Sequence, residues 1–268
     1  MATIAGRAFH EADRPDVLSG TPRAHAIDRW IYVFTAVSFI AIVLVGFIPD
    51  SITKVAAVGA AKRPPFPLAM HVHAVLMGAF LLLLLAQTIL AAIGRCDLHR
   101  RLGLTAMVLA GFVLAPTIYH SVWDAARSGR PELRAAMTAR VPELDNILLL
   151  QIRAGLLFSF FLAIGLRARG RDPGFHKRIM ILATAMPLPA AIDRMMWLPT
   201  TLPASAIATD LYVALAMAPM LVWDVLRNRA LHPAYQLWLP VYVAASLAVN
   251  LLWDTAWWHS AAHAVMRV

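Results

Sequence analysis

Residues 71–120 read HVHAVLMGAFLLLLLAQTILAAIGRCDLHRRLGLTAMVLAGFVLAPTIYH, an apolar run, a short basic turn and a second apolar run. At 1.5 Å of rise per residue, the first run (Met70 to Ile93) is long enough to cross a hydrocarbon core of roughly 30 Å. The second, Leu102 to Tyr119, returns in the opposite direction. The turn Gly94–Arg101 carries three arginines, which marks a cytoplasmic loop. At its far end this hairpin places His71 or His73 at about the depth of His120.

Composition agrees with the hairpin. The chain has 268 residues, of which 60% are hydrophobic, against about 45–50% in a soluble domain. The formal charge is +9, but the basic residues sit in short loops between apolar runs. That is a positive-inside distribution, so the partner is a lipid bilayer and not nucleic acid. Cys96 is the single cysteine, which rules out an internal disulfide framework.

Outward from the hairpin, residues 1–29 are polar, lack the basic start and short apolar region of a signal peptide, and read as a cytoplasmic tail. Residues 30–268 form the membrane domain. Helix one is expected over Trp30–Ile48, ahead of the breaker Pro64-Pro65-Phe66-Pro67 and the two helices of the hairpin. A segment of mixed charge, Ala125 to Glu143, suits a periplasmic loop. Helix four is expected over Asp145–Leu166, helix five from the basic loop Arg167–Arg178 to about Trp197, helix six over Thr209–Leu226 and helix seven over Pro233–Trp257. Alternate connections are basic. The expectation is therefore an all-α, seven-transmembrane bundle of the bacterial inner membrane, N-terminus cytoplasmic and C-terminus periplasmic.

An internal echo supports that count. GRCDLHRRLGLTAM in the first basic turn is matched by GRDPGFHKRIMILATAM in the second, and more faintly by RNRALHPAYQLW in the third. The chain reads as one leading helix followed by three helical hairpins, with Asp97 and Asp172 as expected N-caps and Pro173 at a helix start. His73, Gln87, Gly94-Arg95, Leu98 to Gly103 and the run His176 to Thr184 together resemble a group of uncharacterised bacterial multi-pass membrane proteins. That group carries GR-x-x-LHRRLG after a His- and Gln-bearing helix and HKRLMLLAT in a later loop; here Ile179 replaces a leucine. The resemblance covers helices two to seven loosely and implies fold and membrane location, with no activity attached.

Helical rise, counted from the cytoplasmic ends, gathers polar residues into one layer. Arg153 falls at about 20 Å, Gln151, Asp193, Arg194, Asp210 and Asn250 at about 24 Å, and Asp254, His73 and His120 at about 27–31 Å. A charge inside a bilayer costs at least about 2.5–3.5 kcal/mol, so such residues face the bundle and pair. Arg153 is expected to bond Asp193, Asp210 or Asp254, with Gln151 or Asn250 completing its donors. Pro116, Pro187 with Pro189, Pro219 and Pro240 interrupt four helices and free backbone carbonyls at the kinks.

The histidines divide into two sets. His99, His176 and His232 open helices beside basic residues or Pro, where anchoring or capping is the better reading. His120 and Asp124 are spaced i, i+4, so with His73 they form a candidate three-ligand site for a divalent metal. A haem between His73 and His120 is the weaker alternative. His259 and His263 repeat the i, i+4 spacing beyond helix seven. No phosphate loop, GxSxG, CxxC or HExxH is present.

These residues describe a membrane protein with a polar His/Asp/Arg pocket near the periplasmic side. Three classes fit it. One is a metal-dependent or redox enzyme on a lipid-soluble, hydrophobic small molecule, with His73, His120 and Asp124 as ligands or acid–base groups. Another is a transporter or sensor in which Arg153 binds an anionic small molecule. The third is a structural or accessory subunit whose charges hold the bundle together.

Overall fold

The computed structural model describes residues 25–63, 65–102, 120, 123–124 and 131–267. Among them the regular structure is helical: α1 (Ala26–Gly59), α2 (Leu68–Ala92), α3 (Cys96–Leu102), α4 (Pro131–Thr138), α5 (Val141–Ala168), α6 (Pro173–Thr184), α7 (Pro189–Ile192), α8 (Ile207–Asn228), α9 (Pro233–Leu252) and α10 (Ala256–Met266). Five helices, α1, α2, α5, α8 and α9, are long and apolar enough to cross a membrane. Their outward faces carry large bare apolar side chains such as Phe34, Leu156, Leu215 and Leu251. Patches of that size on a soluble surface would drive association; on these helices they suit lipid, and the chain is an integral membrane protein by this character.

Two of the seven expected crossings differ from this set. Helix three, Leu102 to Tyr119 with Pro116, lies outside the described residues beyond its first residue. Helix five is not continuous. It is the twelve-residue α6, a turn at Ala185–Leu188 and the short α7. Proline supplies the reason, because neither Pro187 nor Pro189 has an N–H to continue the ladder. The turn is buried, with Ala185 0%, Met186 3% and Leu188 2% exposed. Tight bonds satisfy its backbone: Met186 N–H to the Ala183 carbonyl at 3.0 Å, Leu188 N–H to that of Ala185 at 3.1 Å. Irregular backbone at membrane depth is tolerated where protein covers it in this way.

Helix bounds elsewhere shift by a few residues for local reasons. α1 starts at Ala26, inside the expected tail, because Asp28 in its first turn accepts the His25 N–H at 2.7 Å and is itself fully buried. It continues through Pro49 to Gly59, past the expected end at Ile48. Helix seven ends at Leu252 instead of Trp257, since Asp254 takes a left-handed φ of 56° and Thr255 caps a new helix, α10. Asp172 does cap α6, accepting the Phe175 N–H at 2.8 Å, whereas Asp97 lies within α3 and caps nothing.

The broken segment is the centre of the bundle. α6 packs against α5 and α9, α7 against α1 and α8, and α10 against α5. Bonds tie the segment to α8 at both ends, Arg178 to Asp224 and Asp193 to Thr209. Thr209 to Asp224 spans about 22 Å of helix, so residues 178–193 run the length of α8 antiparallel to it. α1 approaches α7 through Gly46, where a Cβ would collide with the Ala191 carbonyl, its carbon 2.8 Å away. Gly46→Ala is expected to lower stability by about 1–3 kcal/mol in detergent unfolding, as overpacking against main chain does.

Candidate functional site

Two residues of the expected polar layer pair with each other. Arg153, on α5, and Asp210, in the first turn of α8, are both buried and meet edge to edge. Arg153 Nη2 donates to Asp210 Oδ1 at 2.7 Å and Nη1 to Oδ2 at 2.9 Å. The Tyr242 hydroxyl, from α9, donates to the Asp210 backbone carbonyl at 3.0 Å and reaches Oδ1 at 3.3 Å. Ser246, one turn further along α9, donates to Oδ2. Tyr242 also stacks on Trp238, ring centres 4.8 Å apart and planes 7° from parallel. A bidentate guanidinium–carboxylate pair with two extra hydroxyl donors is the arrangement that low dielectric rewards.

The expected partners of Arg153 thus resolve to Asp210. Asp193 is close by but accepts the Thr209 hydroxyl. Arg194 turns away, donating to Asp50 of α1 at 3.2 Å and lying over the Phe47 ring at 4.4 Å. Asn250 accepts from the Ala206 N–H at 3.3 Å and donates to the Ser246 carbonyl at 2.9 Å, so it holds backbone at the α8 start and adds nothing to Arg153. Gln151, two residues before Arg153 and so on a different face of α5, is half-buried. Asp254 belongs to a second cluster, with His259. An open groove of about 210 Å³ is lined by Pro199, Thr200, Thr201, Ala208, Leu211 and Tyr212. Ala208, Leu211 and Tyr212 share the face of α8 opposite to Asp210, so this groove does not open onto the pair.

The proposed metal ligands do not assemble. His120 and Asp124 are exposed and His73 is half-buried. Among the described residues, no group of three or more His, Cys, Asp or Glu side chains is placed to hold a metal ion, and all three residues are within that set. An i, i+4 spacing supplies at most two ligands, and spacing alone does not bring the third. His259 and His263 do converge, on the buried Asp145 of α5, at 2.8 and 3.1 Å. Their spacing was visible in the sequence; their carboxylate, more than a hundred residues earlier, was not.

A second buried pair escaped the sequence reading altogether. Arg178 and Asp224 are 0% and 1% exposed. Arg178 donates through Nε to Asp224 Oδ2 at 2.5 Å and through Nη2 to Oδ1 at 2.8 Å, with Nη1 on the Gly174 carbonyl at 2.8 Å. Asn228 adds a donor to Asp224 at 2.6 Å. In sequence, Arg178 looks like the end of a basic loop. The usable signal lay on the partner helix, where Asp210 and Asp224 are fourteen residues apart and so share a face. Nearby, Trp223 Nε1 donates to Asp28 at 2.9 Å, and Arg227 stands 3.5 Å from the same carboxylate.

The histidines of the basic turns act as the capping reading expects. His99 and His176 each place Nδ1 on a carbonyl of the preceding helix, Gln87 at 3.2 Å and Gly165 at 2.7 Å. A carbonyl accepts only, so Nδ1 carries the proton in both. His232 accepts the Ala234 N–H at 3.2 Å and caps α9. The echo is thus structural at two of the three turns, where His99 and His176 tie a helix to the one before it, while His232 caps its own helix. No family model matches the chain, and neither the curated proteins nor the solved structures contain a match to it.

Proposed function

We propose that this chain is a seven-crossing protein of the bacterial inner membrane, of the transporter or sensor class, in which a small anionic ligand exchanges with Asp210 on Arg153. The observation that carries the reading is the position of the Arg153–Asp210 pair beside the far end of a buried, broken crossing. Discontinuous helices with charged groups at the break are the usual way membrane carriers build a site near mid-membrane. Intramembrane charges of this kind mark ligand and ion paths more often than chance. The three basic turns at the opposite end support a cytoplasmic N-terminus. The resemblance of the His73–Gly103 and His176–Thr184 stretches to bacterial multi-pass proteins supports the same location.

One observation favours a second reading. Both carboxylate oxygens of Asp210 already accept from Arg153, and the Tyr242 and Ser246 hydroxyls add to them, so the pair is complete without a ligand. A structural or accessory subunit would be built that way. Asp210→Asn separates the two. It removes the internal competitor and leaves the guanidinium in place, so thermal unfolding of D210N should be shifted upward by a small anion at lower concentration than the wild type needs. The double variant Arg153→Met, Asp210→Asn should show no shift. If no member of a panel of phosphate, sulfate and small carboxylates stabilises either the wild type or D210N, the transporter or sensor reading fails and the structural one stands.

A further inference from the structure

The cluster around His259 has a geometry that a neutral imidazole between two carboxylates cannot satisfy at both nitrogens. Nδ1 lies 2.8 Å from Asp145 Oδ2, and Nε2 lies 3.1 Å from Asp254 Oδ1. Both neighbours are carboxylate oxygens. A neutral imidazole has one N–H and one lone pair, so it can satisfy one of these contacts and must oppose the other. The imidazolium donates at both nitrogens. We infer that α10 is a proton-operated clasp, in which protonated His259 bridges Asp145 of α5 to Asp254 and holds α10 against the bundle.

The surroundings determine what the bridge fastens. Asp145 is buried, 1% exposed, in the first turns of α5; Asp254 is exposed, in the turn before α10. His263, one turn along α10, adds Nε2 to the same Asp145 oxygen at 3.1 Å, a contact that a neutral ring can make. Trp258 Nε1 donates to the Asp145 carbonyl at 2.9 Å, and the Asp254 N–H donates to Asn146 at 3.1 Å. From the segment before α4, Trp123 packs edge-on against His263 at 4.9 Å. Among the described residues, the charged groups facing His259 are Asp145 from α5 and Asp254 from the turn, with His263 beside it on its own helix. These contacts dock an eleven-residue helix that is too short to cross the membrane itself.

The direction of the pH effect follows. Burial alone lowers the pKa of His259, but the hydrogen bonds to Asp145 and Asp254, together with their charges, outweigh it and raise the value above the usual 6.5. A raised folded-state pKa stabilises the docked form fully below about 6.5 and loses that contribution as pH rises through the folded value. The clasp therefore closes in acid and loosens in base, a range histidine alone covers without large perturbation.

Hydrogen–deuterium exchange of the full chain in lipid nanodiscs tests this, read as protection factors so that the intrinsic pH dependence of exchange is removed. Residues 256–266 should be severalfold better protected at about pH 5.5 than at about pH 8.5, while α6 shows no such change. His259→Gln should be weakly protected to the same extent at both. Asp254→Asn alters an exposed residue whose left-handed backbone suits asparagine, so it should fold and move the loss of protection to lower pH. Equal wild-type protection at the two pH values, a pH dependence that survives in H259Q, or no shift in D254N would each overturn the clasp.

Discussion

Replacing Arg178 with methionine is expected to cost about 3–5 kcal/mol of stability, at the upper end of that range. Its guanidinium is effectively always protonated, and its partner Asp224 lies in the same buried pocket with 0% and 1% of the two side chains exposed. Removing the cation leaves a carboxylate in low dielectric with Asn228 as its remaining side-chain donor among the bonds described above. The Gly174 carbonyl loses its Nη1 donor as well. The double variant Arg178→Met, Asp224→Leu removes both charges and should recover most of the loss, since apolar replacement of a whole buried pair is close to neutral. Detergent-induced unfolding followed by circular dichroism reads both. A single variant within about 1 kcal/mol of wild type would mean that water reaches the pair.

Arg153→Met should be the next largest loss, about 3 kcal/mol, near the low end of the same range. The pair is a little more open, 6% and 8% exposed, and Asp210 keeps two hydroxyl donors when the arginine goes. Those donors give the test its sharpness. In a double-mutant cycle, Ser246→Ala should cost more in the Arg153→Met background than in the wild type, because the hydroxyl then carries a larger share of the orphaned charge. Additive effects would show that Ser246 does not feel the charge of Asp210.

The two pairs also indicate why the bundle needs them. The central segment, α6 and α7, is broken at Pro187 and Pro189 and so lacks the continuous hydrogen-bond ladder of an unbroken helix. Arg178 fixes its beginning to α8 and the Asp193–Thr209 bond fixes its end. Gly46 allows α1 to close over the short α7. A segment that cannot stand alone is held by neighbours through ionic and hydrogen-bonded contacts, and lipid-facing apolar surface would not supply that register.

What the sequence determined by itself was everything that depends on local composition and one-dimensional spacing. Hydropathy alone located the five long apolar helices, because desolvating a backbone in lipid demands some twenty apolar residues in helical form. Proline at the start of α6 and the cap at Asp172 were legible for the same local reason. Helical rise even put Arg153 and Asp210 at nearly one depth. The tertiary structure decided which groups at that depth touch. Depth is a single coordinate, and pairing also needs the rotation of each helix and the identity of its neighbour, which Arg153, Asp193 and Asp254 cannot reveal individually. Hence Arg153 chose Asp210, Asp254 went to His259, and His73 and His120, matched in depth, did not form a metal group with Asp124. Arg178 was hidden by a different ambiguity: an arginine at the end of a basic loop and an arginine turned into the core have the same local sequence, and only the Asp224 of a distant helix distinguishes them.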